Sequence, residues 1–243
     1  MSKKVLICGI QKAGNSLCRF VIFNYYHTLK GNSETLIWDE LQKPHLDRVE
    51  HGVDYEYNDG FPLVWHTHNS YDGYGVNVKY EGYPEFFEQF DKIVYLYRNP
   101  YDCTISYWHF VENRNGVDYM RNLKEFTKWY LPKWIHHVKT TRDKADLILN
   151  YDVLRKDTSG FREVIRMING CIDEDIFQKT IKMSSFENIK KMSEETCKKG
   201  GLGYPYYRGY FCRDGRSEQY KEVMSEELIN YIKNECLKEG IKV

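Results

Sequence analysis

With 243 residues and 35 basic against 35 acidic side chains, the chain is long enough for one α/β domain with a full core and carries no formal net charge. It lacks the basic excess of a general nucleic-acid or membrane-surface binder, although a local anion site stays open. Seven cysteines without a C-x-x-C pair argue against a zinc cluster or a secreted disulfide framework and for buried free thiols in a reducing compartment. The first apolar run, Val5 to Cys8, is too short for a signal-peptide core. No stretch approaches the roughly 18 apolar residues of a membrane span, so the expectation is a soluble, cytoplasmic protein.

The run "KKVLICGI" predicts a buried strand ending in glycine. From Asn15, apolar residues recur at Leu17, Phe20, Val21 and Tyr25, a helical spacing. "PLVWHTH" (62–68), "DKIVYLYR" (91–98) and "ADLILNY" (145–151) are further strands. The second of these is the strongest, because Ile93 to Leu96 run apolar without polar alternation, as in a parallel strand covered on both faces. Helices are predicted near 84–90, from Pro100 to about Val111, and from about Tyr119 to Arg142 with a bend at Pro132. Three more are expected around 160–168, 173–182 and 225–238. Strands alternating with helices predict a single domain over residues 1–243, α/β, with a central, mainly parallel sheet flanked by helices. Residues 198–216 form the one long irregular stretch. Between Lys198 and Lys221, six basic residues (Lys198, Lys199, Arg208, Arg213, Arg216, Lys221) face only Asp214 and Glu218, which favours a segment that covers an anion.

Three segments hold chemistry-bearing residues. In "CGIQKAGNSLCRF" (8–20), Gly9 and Gly14 have the G-x-x-x-x-G spacing of a phosphate-binding loop, but Asn15 stands where a kinase loop carries lysine. A loop between a buried strand and a helix offers backbone N–H groups and the positive end of the helix dipole to a phosphate. Arg98 ends the strongest strand, where open α/β sheets bind ligands, and Ser106 shares a helix face with Asp102. In "WHTHNSY" (65–71), His66 and His68 point the same way along a strand. They could be metal ligands, a general base with a neighbour, or ordinary surface residues. His136 and His137 read as part of a solvated or packed helix face.

Together these segments resemble the sulfotransferase family, chiefly its cytosolic type, which transfers a sulfonate from 3′-phosphoadenosine 5′-phosphosulfate (PAPS). "IQKAGNSL" (10–17) is similar to the family's Y-P-K-S-G-T-T-W, with Lys12 and Gly14 in register. Residues 95–109 follow its Y-x-x-R-N-P-x-D-x-x-x-S-Y-Y-H almost throughout. "HTH" (66–68) resembles K-T-H and places His68 at the catalytic histidine. "NYDVL" (150–154), "SSFENIKKM" (184–192) and "FCRDGRSEQYKE" (211–222) resemble the Y-E-D-M, S-F-x-x-M-K and R-K-G-x-x-G-D-W-K segments, in the family's order. Departures are His66 for the lysine of K-T-H, Leu17 for the adenine-stacking tryptophan, Asn15 and Ser16 for two threonines, and Asp214 for the lysine of R-K-G. The family's dimerisation motif K-x-x-x-T-V-x-x-x-E is not kept, which leaves the oligomeric state open.

The resemblance implies a P-loop-like three-layer fold and a metal-free transfer of sulfonate to a hydroxyl or amine. His68 would be the general base and Lys12 the stabiliser of charge on the leaving phosphate. Ser106 would contact that lysine. The PAPS site, which retains adenosine 3′,5′-bisphosphate (PAP) as product, would be formed by Lys12, Ala13, Gly14, Asn15, Ser16, Leu17, Arg98, Ser106, Tyr151, Ser184, Phe186, Arg213, Asp214 and Gly215. Gly9 becomes nearly incidental. The acceptor is expected to be a small molecule, such as one with an aromatic or sugar hydroxyl, since Tyr71, Tyr74, Trp129, Tyr130 and Trp134, with Tyr80, Tyr83, Tyr204, Tyr206 and Tyr207, fall in pocket-forming segments. Two other readings compete: a catalytically inactive nucleotide-binding relative, and a kinase, which would need a lysine before Ser16 and an acidic magnesium ligand.

Overall fold

Four short apolar runs build the centre of the molecule, each ending where the chain turns polar or reaches glycine. The computed structural model describes residues 4–32, 64–75, 83–112, 122–198 and 214–243. Within them the strands are β1 (Val5–Cys8), β2 (Val64–Thr67), β3 (Lys92–Tyr97) and β4 (Leu147–Asn150). All pair in parallel, in the order β2-β1-β3-β4. The chain passes from β1 to β2 on one side and then back across β1 to β3 on the other. The reversal sets a topological switch point between β1 and β3, where parallel sheets open a crevice at their carboxyl edge.

The alternation of side chains along each strand separates two apolar layers. Val5, Ile7, Val94 and Leu96 join the larger core with helix residues such as Phe20, Phe126, Val164 and Ile232. Leu6, Cys8, Ile93 and Tyr95 face the opposite side, against Phe87 and the flanking Trp65, Phe86 and Phe90. The sheet is therefore the middle of three layers, as the P-loop-like fold requires.

Helix α1 (Asn15–Leu29) follows β1, α2 (Tyr83–Phe87) precedes β3, and α3 (Pro100–Glu112) follows it. Proline at the first position of α3 matches its fixed φ and missing N–H. Helix α4 (Leu123–Thr141) is capped by Asn122, whose side chain accepts from Lys124 N at 2.8 Å, and runs unbroken through Pro132. A 3₁₀ turn, Arg142–Lys144, leads into β4. Then come α5 (Tyr151–Leu154), α6 (Ser159–Asn169), α7 (Glu174–Met183), α8 (Phe186–Lys198), α9 (Tyr220–Val223) and α10 (Glu226–Lys238). Helix α8 was not expected from the sequence: its apolar residues are sparse, and among its described side chains Ile189 is the one in the buried core. The predicted ends at residues 62–63 and 119–121, and residues 199–213 of the predicted irregular stretch 198–216, lie outside the described residues.

Cys8, Cys18, Cys103 and Cys236 are buried free thiols and Cys171 is exposed. Burial pushes the Cys18 and Cys103 thiols up to about 12, so they behave as packing groups. Among the described residues no helix is long and apolar enough to cross a membrane.

Candidate active site

Each of the four strands delivers one candidate residue or loop at its carboxyl end. The loop carrying Lys12 follows β1, His68 follows β2, Arg98 follows β3, and Tyr151 follows β4. Parallel pairing puts all four at one edge, and contacts then tie them together.

The loop after β1 is tightly determined. Gly14 caps α1 with φ +110°, and a Cβ there would lie 2.5 Å from Cδ2 of Tyr151. Only glycine fits both constraints. Lys12, with φ +71°, sits in the left-handed region at the crest of the loop, and its Nζ lies 4.8 Å from the centroid of the Phe110 ring. Ala13 is fully buried, and its N–H donates to the Ile10 carbonyl at 3.1 Å, which closes the loop on itself. Gly14 supplies no side-chain cap, which leaves the first-turn N–H groups of α1 as donors at this edge. Ser16 and Leu17 are half-buried, and Leu17 packs on the large core.

Gly9 has a larger part than the sequence implies. A Cβ at this position would come 2.9 Å from both Cβ and the carbonyl oxygen of Leu96 on β3. Its own carbonyl accepts from Asn15 Nδ2 at 2.8 Å and lies 2.9 Å from His68 Nδ1. The view of Gly9 as nearly incidental is therefore corrected: it allows β1 and β3 to close and presents the carbonyl that meets His68.

His68 is half-buried, with its ring 5.2 Å from that of fully buried His66 in an edge-to-face arrangement. Burial, reinforced by the charges of Arg19 and Lys12, holds its pKa down to about 4. The imidazole is thus neutral throughout the ordinary pH range. Behind it, His137 is buried on α4, with Nδ1 3.1 Å from the Tyr95 hydroxyl, and burial lowers its pKa to about 3. His136, on the outer side, meets the Asp72 carboxylate at 2.9 Å. The pair thus divides between the packed and the solvated face of one helix.

Arg98 is buried to 4% exposure, stacked 4.6 Å over the ring of Tyr151, and donates from Nη1 to the Lys12 carbonyl at 3.3 Å. Its Nε is buried without a hydrogen-bond partner and lies 3.8 Å from Asp152 Oδ1. A buried guanidinium with an unused donor suits an anion. Asn99 holds Asp102 and Asp152 together through Nδ2, at 3.0 and 2.9 Å. Those two carboxylates anchor the segment from Asp214 to Tyr220: Asp102 accepts from Glu218 N at 2.7 Å, and Asp152 accepts from Ser217 Oγ at 2.9 Å. Sequence reasoning missed this network, though the R-N-P-x-D pattern contains two of its members. Ser106 stands half-buried one turn beyond Asp102 on α3.

The remaining predicted residues form a second cluster. Gly215 is buried, and a Cβ there would meet Phe186 Cδ2 at 2.7 Å and Arg155 Nη2 at 2.9 Å. Arg155 lies 5.0 Å over the Phe186 ring and donates to the Gly215 carbonyl at 3.2 Å. Because Arg155 is one turn beyond Tyr151, the cluster joins the edge at Arg98. Ser184 is buried and its hydroxyl accepts from Asn24 of α1 at 3.2 Å. Asp214 pairs with Arg216, which also binds Glu222, and Lys221 pairs with Glu218. These described cations are thus engaged locally. Arg213, Lys199 and Arg208 lie outside the described residues, as do Tyr80, Tyr204, Tyr206 and Tyr207. Tyr130 and Trp134 are buried in the core, with the Tyr130 hydroxyl donating to the Gln11 carbonyl at 3.2 Å. Among the described residues no group of three or more histidine, cysteine or acidic side chains is arranged to hold a metal ion.

The family model for the sulfotransferase domain matches residues 2–240. Over 154 residues the chain is 29% identical to luciferin sulfotransferase of Photinus pyralis, covering 57% of this chain and 41% of that protein. Over 119 residues it is 27% identical to sulfotransferase 1C2 of Homo sapiens, covering 44% and 40%. The match thus spans about two fifths of the length of these relatives. The crystal structure of retinol dehydratase in a complex with retinol and PAP shares the fold, with a TM-score of 0.72 at 16% identity over 97% of this chain and 80% of that one.

Proposed function

The chain belongs to the sulfotransferase domain family, and we propose that it moves the sulfonate of PAPS to a hydroxyl or amine of a small-molecule acceptor. The observation that carries this reading is the convergence of Lys12, His68, Arg98 and Tyr151 from four strand ends onto one edge. The relatives named as sulfotransferases and the PAP-bound structural neighbour support the same co-substrate.

PAPS supplies the activated sulfonate. Arg98, with its unused Nε, and the stacked Tyr151 ring fit an anion beside an aromatic base. Phe186, Ser184, Arg213, Asp214 and Gly215 would complete the nucleotide side. Gly14, Asn15, Ser16 and Leu17 would contribute N–H groups at the start of α1, with Ala13 closing the loop beneath them through its bond to the Ile10 carbonyl. His68, neutral because of its depressed pKa, takes the acceptor proton as the acceptor–sulfur bond forms. As the sulfur–oxygen bond to phosphate breaks, the electron pair leaves with PAP. Lys12 and the helix N-terminus stabilise that charge. Ser106 acts on Lys12.

The test is titration with PAP against ATP, followed by transfer from labelled PAPS to a panel of phenols, sugars and amines. Selective PAP binding with transfer is expected. Preference for ATP would sink the reading in favour of a kinase, and PAP binding without any transfer would reduce it to an inactive relative. His68→Ala should lower turnover by roughly 100-fold or more while PAP affinity holds. Unchanged turnover would remove His68 as base.

A further inference from the structure

The position after Gly14 is a place where a side chain would be expected to reach toward phosphate. Asn15 does the opposite. It is 3% exposed, and its amide nitrogen donates back to the carbonyls of Gly9 at 2.8 Å and Ile10 at 3.3 Å. Rotating the amide would set its oxygen 2.8 Å from another carbonyl oxygen, so the assignment is fixed by its surroundings. The cost is visible at the other end of the amide, because Asn15 Oδ1 is buried without a hydrogen-bond partner. An orphaned acceptor kept in a functional loop calls for a reason.

The reason lies beside the amide nitrogen, which is 3.2 Å from His68 Nδ1. That nitrogen is also 2.9 Å from the Gly9 carbonyl, which can only accept. The Gly9 carbonyl is the nearest partner of both nitrogens, 2.8 Å from Asn15 Nδ2 and 2.9 Å from His68 Nδ1, while Asn15 Nδ2 has the Ile10 carbonyl at 3.3 Å as its second acceptor. Nδ1 must therefore carry the hydrogen and donate it to Gly9, which leaves the lone pair on Nε2. Asn15 fixes the direction of the Gly9 carbonyl and closes off the ring edge beside it. We infer that Asn15 is a positioning residue that holds His68 in the Nδ1–H tautomer, rather than a side-chain ligand of the nucleotide. This rests on reading His68 as the base, and it deepens that reading.

The test uses the full chain with 15N-labelled histidine, PAP as the binding probe, and three variants. The wild type should show one neutral tautomer for His68, protonated at Nδ1. In Asn15→Ala the two tautomers should mix and turnover should fall about 10- to 100-fold, as for a misplaced catalytic group, while PAP affinity changes less than about twofold. Asn15→Thr, which places the family's residue here, should behave like Asn15→Ala. Should the alanine variant not fold, Asn15→Ser carries the test, because its shorter side chain cannot reach both the Gly9 and Ile10 carbonyls and should mix the tautomers likewise. An unmoved tautomer in the alanine, threonine and serine variants overturns the proposal. So does a loss of PAP affinity with turnover per bound PAPS unchanged. The nitrogen spectra do not depend on activity: if His68→Ala kept full turnover, the base would be lost while the Asn15 coupling was still judged.

Discussion

The buried carboxylate of Asp102 accepts the backbone N–H of Glu218 at 2.7 Å, joining the first turn of α3 to a segment 116 residues later. The same carboxylate accepts from Tyr220 N at 3.3 Å and Asn99 Nδ2 at 3.0 Å. Removing it strands three partly buried donors, and the loss of one buried partner alone costs about 1–3 kcal/mol. Asp102→Ala should therefore lower stability by about 3 kcal/mol, or roughly 6–12 °C in Tm. PAP binding should weaken with it, because Asp214 and Gly215 begin the segment that is released. Asp102→Asn keeps an acceptor and should lose less. Thermal melts with PAP titrations check both, and an Asp102→Ala protein of unchanged Tm would contradict the anchoring role.

The two loop glycines answer to different neighbours. Gly9→Ala sets a methyl group 2.9 Å from the β3 backbone at Leu96. That neighbour cannot yield cheaply, so an overpacking cost of about 1–3 kcal/mol is expected. Gly14→Ala adds left-handed strain to a 2.5 Å approach to Tyr151. Gly240, with φ +74° and nothing within 4 Å of a Cβ, isolates the backbone term of about 1–2 kcal/mol. Chemical denaturation should rank Gly14→Ala above Gly240→Ala. Gly9→Ala should also lose turnover, because its carbonyl orients His68. Equal costs at Gly14 and Gly240 would refute the contact with Tyr151.

Much of this edge was legible because buried parallel strands write themselves as continuous apolar runs, and because ligands gather where such strands end. Val5–Cys8 and Lys92–Tyr97 could be read that way, and with them the places of Lys12 and Arg98. The role of Gly9 could not, since it depends on Leu96 and His68 approaching from two other strands. Asn15 reads from its position as a phosphate ligand; only the nearby Gly9 and Ile10 carbonyls turn it inward. Asp102 was recognisable as part of a motif, but its partners are backbone N–H groups, which leave no mark on residue identity. Helix α8 was missed because apolar residues are sparse along its sequence, with Ile189 and Met192 too few to set a helical period.

Arg98 offers the sharpest test of the nucleotide side. Its guanidinium is held by the Lys12 carbonyl and the Tyr151 ring, while Nε makes no hydrogen bond and has only the Asp152 carboxylate at 3.8 Å. Loss of a charge-assisted contact is worth about 1.5–3 kcal/mol, so Arg98→Ala should weaken PAP binding at least about tenfold. Arg98→Lys should not restore it, because a lysine keeps the charge but not the planar fork that stacks on the ring. Calorimetric titration decides: unaltered PAP affinity in Arg98→Ala would remove Arg98 from the nucleotide site.

The histidines set the acid behaviour, and the direction follows from their environment. Burial holds His68 down to about 4 and His137 to about 3, whereas both approach 6.5 in the unfolded chain. Between those values the unfolded chain binds protons that the folded one refuses, so stability rises with pH. Their contribution is complete above about pH 6.5 and shrinks as pH falls toward 4. His137→Gln should therefore flatten the decline in Tm between pH 7 and 5; an equally steep decline would mean that His137 protonates freely in the folded state. Catalysis follows the same folded value. If Nε2 of His68 is the base, the acid limb of kcat/KM should inflect near pH 4, well below the 6.5 of an exposed imidazole. A limb centred near 6.5 would show that the ring is solvated where the proton is taken, and that its enclosure by Gly9, Asn15 and His66 opens before the chemistry.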